Sequence, residues 1–338
     1  MATSRKSLKK LERLVLRADR RLVVPLMGYP GSRLTNTTLK QNAFNWGIQC
    51  WSIYELVYQL DPDGIFFMMD LSVEAGALGI PVRYALEDSP TIEQHMVKTS
   101  EDLLQFMSID ILKDARVLMH LKTMEWMAKH IDTLKCAYCI GPYTLAGLLM
   151  GASDIAMTTM ENPGLTHDLL AFCTRIISRY ATALFESGAD LLAILEPTAV
   201  MLSPAQFKEF SGSYISNIVG HVNGMTVLHI CGDTSHLVEA MSQTGVDGLS
   251  LDGMVDFPTI APRVKKGVTL IGNLDPVRVL RNLTPDQVRQ ATREFLEKTR
   301  HLPNLIVSSG CDLPQDTPIA NIRAMIEESK AFHLPPGR

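Results

Sequence analysis

The sequence predicts a single α/β domain folded as a (β/α)8 TIM barrel. Three observations predict it. Apolar runs short enough to be strands recur eight times, most are followed by a longer stretch with helical periodicity, and unusual polar residues stand just past the ends of the runs. The runs cover residues 22–27, 64–69, 135–140, 190–195, 225–230, 246–251, 267–271 and 304–308. An open doubly wound sheet is the alternative, but no run is followed by the glycine-rich phosphate fingerprint that such sheets carry.

Ahead of the first run, the stretch MATSRKSLKKLERLVLRADRR places Leu8, Leu11 and Val15 at helical spacing. Glu12 and Asp19 interrupt its basic charge and no apolar signal core follows, so residues 1–21 read as a solvated N-terminal helix. Run one leads to Tyr29. Run two ends at Asp70, and the long interval before the third run holds more than one helix and a hairpin at GIPVRYALEDSP, which places an insertion after strand 2. Run three carries Cys136 and Cys139, whose offset of three points the thiols to opposite faces of a strand, so both read as packing residues. It opens into the Gly141-Pro142-Tyr143 turn.

The fourth run follows a helix at 166–186, stops at Glu196 and precedes a helix at 204–219. The fifth closes with LHICGDT, in which His229 and Cys231, two positions apart, face the same side of one strand end. A helix at 234–243 follows it. The sixth run ends at Asp252, the seventh leads to Asn273 and Asp275 and then to a helix at 285–299, and the eighth leads to Cys311 within SSGCDLPQDTP. Met27, Met68 and Met69 read as core packing near strand ends.

The bulk composition agrees with a soluble globular chain: 338 residues, 46% hydrophobic, 20% charged, net charge −4. That balance offers no basic surface for nucleic acid, and no apolar run approaches the roughly 20 residues of a membrane span. Residues 1–338 read as one domain, since no linker or repeat divides them. Six sparse, irregularly spaced cysteines suggest reduced thiols or metal ligands rather than a disulfide framework, and hence a cytoplasmic protein.

In a barrel all eight strand ends surround one mouth, so His229, Cys231 and Cys311 can meet although 80 residues separate the two cysteines. Three protein ligands with an open fourth position is the pattern of a catalytic zinc, and Glu196 from the fourth strand end is a possible fourth ligand that fills or vacates that position. One neutral imidazole and two thiolates leave Zn(II) with no formal charge. Such a zinc activates water weakly and is better suited to holding a substrate thiolate, which favours alkyl transfer to sulfur.

The sequence resembles the uroporphyrinogen decarboxylase superfamily, and within it the cobamide-dependent methyltransferases that act on coenzyme M. The resemblance rests on MDLSVEAGALG (69–79), GPYTLAGLLMG (141–151), LSPAQFKEF (202–210), LHICGDT, IGNLDPVRVL (271–280) and SSGCDLPQDTPIANIRAM (308–325). It implies a (β/α)8 barrel, zinc held by His229, Cys231 and Cys311, and a methyl-corrinoid delivered by a partner corrinoid protein to a small thiol such as coenzyme M. The decarboxylase branch fits poorly, because a substrate with eight carboxylates calls for several arginines and the first strand end, MGYPGSRLTNTTL, offers only Arg33.

Tyr29, Asp70, Tyr143, Asp252 and Asn273, all at strand ends, are the candidates for a substrate or corrinoid pocket. Two other readings stay open: zinc-dependent activation of a methylated donor for transfer to a reduced corrinoid, and a barrel that stores or senses zinc or corrinoid.

Overall fold

In the computed structural model, which describes residues 10–333, eight parallel strands form one sheet curled into a barrel. They are β1 Leu22–Val23, β2 Gly64–Phe66, β3 Leu134–Ile140, β4 Leu191–Leu195, β5 Met225–Ile230, β6 Gly248–Leu251, β7 Thr269–Leu274 and β8 Leu305–Ser309. Each pairs with its sequence neighbour from β2 to β8, and β8 returns to β1. Every residue of β4 and β5 is buried, as expected where a parallel strand is covered by helices on one side and by barrel core on the other. All eight anticipated runs are strands, with ends displaced by no more than four residues, and the run 225–230 coincides with its strand.

The shortest strands flank the seam between β1 and β2, and Asp63 closes it. Its backbone N–H donates to Val23 O at 2.9 Å, while its carboxylate accepts from Val23 N at 2.8 Å and from both Arg20 guanidinium nitrogens at 2.8 and 2.9 Å. Strand pairing thus gives way there to one side chain that satisfies the free edge of β1.

Helix Lys10–Arg17 packs against this scaffold more tightly than a solvated helix would. Leu11 and Val15 are buried, and Leu11 reaches the first residue of β6, Gly248. Its apolar stripe therefore covers the end of the barrel opposite the mouth; Leu8 lies outside the described residues. The insertion after β2 contains the anticipated hairpin, Val82–Arg83 paired antiparallel with Thr91–Ile92. The helix expected at 204–219 is three segments, Pro204–Phe207, a π-helical turn Lys208–Gly212 and Ser213–His221. That expected at 234–243 is the shorter Val238–Ser242. Helices Pro163–Glu186 and Pro285–Lys298 lie close to expectation. Among the described residues no helix is long and apolar enough to cross a membrane.

Cys136 and Cys139 are both buried in β3, and Cys136 faces the barrel interior with Tyr138 and His229 while Cys139 packs outward, as the strand alternation requires. Asp63→Ala should lower the free energy of unfolding by about 1–3 kcal/mol, chiefly through the unmet Val23 N–H rather than the partly exposed ion pair. Urea denaturation measures this, and a midpoint equal to that of the parent chain would show that the seam does not depend on Asp63.

Candidate metal centre

Register brings the centre together. His229 lies directly across from Ser250 in the β5–β6 pairing, both inside the barrel, and the imidazole Nδ1 is 2.9 Å from Ser250 Oγ. That hydrogen bond turns Nε2 toward the mouth, where it lies 3.0 Å from Cys231 Sγ. Cys311, arriving just past β8, places its Sγ 3.0 Å from Cys231 Sγ and 3.7 Å from His229 Nε2. His229 is buried and the two thiols are partly exposed, so the triad has one face toward the core and one toward solvent.

Two glycines permit this approach. Gly232 has φ +84°, a left-handed conformation that turns the chain immediately after Cys231. Gly310 lets the loop carrying Cys311 pass close to the β6 loop, since a Cβ there would stand 2.3 Å from the Gly253 nitrogen. The β6 loop is itself anchored: Asp252 Oδ2 accepts from Gly232 N at 3.1 Å and its Oδ1 from Met254 N at 3.1 Å. Asn273 Nδ2 in turn donates to Asp252 O at 2.8 Å and Val255 O at 2.6 Å. Asp252 thus fixes the turn after Cys231, and Asn273 fixes the β6 loop past which Gly310 runs.

The donor set fits a metal ion. No two of the three ligand atoms are farther apart than 4.8 Å, and the separations of 3.0 to 3.7 Å fall inside twice a zinc–sulfur bond of about 2.3 Å, so one ion can reach all three. The imidazole already has its far nitrogen tied, as metal-binding histidines do. The hydrogen bond shared by the two sulfurs pushes Cys231 up and holds Cys311 well below the usual thiol range, with His229 adding to the second effect. One sulfur of the pair is therefore poised as a thiolate.

Glu196 is placed differently from the fourth ligand anticipated above. Its fully buried carboxylate accepts from Tyr143 N at 2.8 Å, Thr144 N at 2.9 Å and Ser211 Oγ at 2.8 Å, and it does not join the triad. Burial pushes its pKa up, and these donors pull it back. Two of the donors are free N–H groups at the start of helix Pro142–Met150, and the third belongs to the π turn at 208–212, so Glu196 anchors two helical elements to the rim.

Tyr143 sits in that same helix, buried, with its hydroxyl 3.1 Å from Thr159 Oγ1, and does not line the mouth. Asp70 is buried, accepts from Ser72 N and Oγ at 2.7 and 2.6 Å, and forms an ion pair with Arg116. The Arg116 guanidinium lies 4.9 Å from the ring centroids of both Phe44 and Tyr84. Tyr29 lines a cleft of about 690 Å³ whose lining also includes Asp312, the neighbour of Cys311, and its hydroxyl donates to Met69 O at 2.8 Å.

Ser250, Arg116, Ser211 and Asp312 were not anticipated from sequence. Ser250 alone left a signal: a hydroxyl at an inward position of a four-residue apolar strand, GLSL.

A model of the uroporphyrinogen decarboxylase (URO-D) family matches residues 32–332. A methylcobamide:CoM methyltransferase, MtbA, of Methanosarcina acetivorans is 31% identical over 271 residues, covering 78% of each chain. A uroporphyrinogen decarboxylase of Prochlorococcus marinus is 26% identical over 304 residues, 82% of each chain. Among solved structures, a methyltransferase from Methanosarcina mazei superposes with a TM-score of 0.86 at 21% identity, covering 96% of this chain and 98% of the other, which shows a shared fold.

Substitutions separate the role of Glu196 from that of the triad. Cys231→Ala and Cys311→Ala should each abolish tight metal binding with a small change in Tm, because both thiols stand at the partly exposed rim. Glu196→Gln should keep one metal per chain yet lose about 1–3 kcal/mol of stability, because an amide cannot accept at both oxygen positions. Elemental analysis beside thermal unfolding reads both, and metal loss in Glu196→Gln would restore Glu196 as a ligand.

Proposed function

The chain belongs to the uroporphyrinogen decarboxylase family, and within it we propose a zinc-dependent methyltransferase that moves a methyl group from a methyl-corrinoid, carried by a partner protein, to a small thiol. The observation that carries this reading is the convergence of one imidazole and two thiols, with a solvent-facing side, beside a cleft large enough for a small substrate. The relatives named as methylcobamide:CoM methyltransferases support the same reaction class, with coenzyme M as their acceptor.

Zinc bound in a neutral set of this kind keeps a thiol deprotonated at neutral pH without quenching its nucleophilicity. His229 would contribute Nε2 in the ring orientation that Ser250 holds, and Cys231 and Cys311 the two sulfurs. The buried side of the triad leaves the thiol to enter from the mouth, which sets the direction of attack. The carbon–sulfur bond forms as the cobalt–carbon bond breaks, and the bonding pair stays with cobalt. No leaving group needs a proton, so positioning of the two substrates carries most of the rate. Glu196 and Asp70 are both held by structural donors.

Decarboxylation of a many-carboxylate tetrapyrrole finds no matching surface. Arg281 is the one cation lining the cleft among the described residues, and Asp316 already pairs with it. At Asp70, where the superfamily places an acidic pocket residue, Arg116 neutralises the carboxylate.

The purified, zinc-loaded chain is expected to demethylate methylcobalamin in the presence of a small thiol. Thiol binding near pH 7 should release about one proton per site, because a free thiol with a pKa of about 8.5 becomes a bound thiolate. The cobalamin spectrum follows transfer, and calorimetry in buffers of different ionisation enthalpy counts the protons. A count near zero with a thiol that is methylated would rule out thiolate activation.

A further inference from the structure

Helix Trp46–Leu60, which leads into β2, is apolar on both of its faces. Its inner face buries Cys50, Ile53, Leu56 and Leu60 against the barrel, while its outer face leaves Trp51, Tyr54 and Tyr58 50%, 46% and 75% exposed. One charged residue, Glu55, occurs in the helix, and its carboxylate accepts from Gln59 Nε2 at 2.9 Å. A surface helix ordinarily turns a charged or polar face outward, and one that is apolar all round is covered all round. The outer face therefore calls for a cover that the described residues do not supply.

The spacing of that face says what covers it. Gly47, Trp51, Tyr54 and Tyr58 follow one another by four, three and four residues, which aligns them as a single seam of the kind that packs against a second helix. The seam reads the same from either end. Laid antiparallel on its own copy, about a two-fold axis between residues 52 and 53, it sets Trp51 opposite Tyr54 of the second copy and Tyr58 opposite Gly47 of the second copy. The most exposed ring thus meets the smallest residue. A Cβ at Gly47 would approach only the Asn45 side chain, so the outer surface there is an open notch, and a glycine that weakens its helix gains a packing reason. Tyr54 and Tyr58 already stand as one ridge, their rings stacked at 6.0 Å and 5°.

Area and position agree with this pairing. An aromatic side chain carries about 150–250 Å² of surface, so the three rings leave roughly 350 Å² uncovered on one copy and roughly 700 Å² on two. With Ile48 and Val57 half-buried at the flanks, the contact approaches the roughly 1,000 Å² at which specific, weak interfaces begin. No like charges oppose it, since the helix has no basic residue and its one carboxylate is engaged. The helix descends to the start of β2, so Tyr58 lies toward the barrel floor, away from any partner that covers the metal centre.

We propose that helix Trp46–Leu60 is the two-fold interface of a homodimer, paired antiparallel with Tyr58 of each copy seated on Gly47 of the other. The interface is isologous and leaves both barrel mouths open.

Sedimentation velocity on the full chain is expected to show a monomer–dimer equilibrium with Kd in the range of about 1–100 μM. Gly47→Leu fills the notch and Tyr58→Ala removes the ring, and each should weaken the dimer about tenfold or more. Both positions are exposed, so thermal unfolding should show each variant folded. The double variant Gly47→Leu, Tyr58→Ala restores large against small and should recover most of the loss. A chain that stays monomeric, or a dimer whose affinity neither single substitution changes, overturns the proposal. So does a chain that is monomeric alone and uses this helix only when a corrinoid protein is added. Two losses that add in the double variant with no recovery overturn the antiparallel pairing of Tyr58 with Gly47.

Discussion

Parallel strands that close into a barrel have all their carboxyl ends on one rim, and that constraint is what the rest of this molecule depends on. Cys231 and Cys311 lie 80 residues apart, yet their sulfurs stand at 3.0 Å because β5 and β8 deliver them to the same mouth. The register then does finer work. Pairing His229 directly with Ser250 puts a hydroxyl under the imidazole, so the nitrogen that faces the sulfurs is fixed by a neighbouring strand and not by a flexible loop.

Around this rim four acids are matched to structural donors. Glu196 takes the free N–H groups of helix Pro142–Met150, Glu74 accepts from Ile140 N at 2.8 Å, Asp70 pairs with Arg116, and Asp252 fixes the turn after Cys231. Buried carboxylates are tolerated only where such partners offset their desolvation. Their pairing leaves the imidazole and the two thiols as the soft donors free to meet a metal, which gives the mouth its chemical character.

Much of this was legible in the sequence, for physical reasons that can be named. Apolar runs of strand length followed by helical periodicity give a parallel barrel, and period-two alternation puts His229 and Cys231 on one side while it separates Cys136 from Cys139. Glu196 was legible as a strand-end acid but not in its direction. Which way it turns is decided by the unsatisfied N–H groups of Tyr143 and Thr144, 53 and 52 residues earlier, and by the π turn carrying Ser211, a tertiary fact with no local sequence signature. Tyr143 was misplaced for the same reason: it begins a helix, and the helix face it occupies points away from the mouth. The burial of Leu11 and Val15 was visible as spacing, but the barrel floor that covers them was not.

The central claim is that one imidazole and two thiols hold zinc with a place open for a substrate thiol. X-ray absorption at the zinc edge tests it most directly, recorded on the loaded chain before and after adding a thiol that it methylates. The account predicts two sulfurs and one imidazole nitrogen with one lighter ligand at rest, changing to three sulfurs and one nitrogen when the thiol binds. A sulfur count that stays at two with such a thiol bound would contradict it.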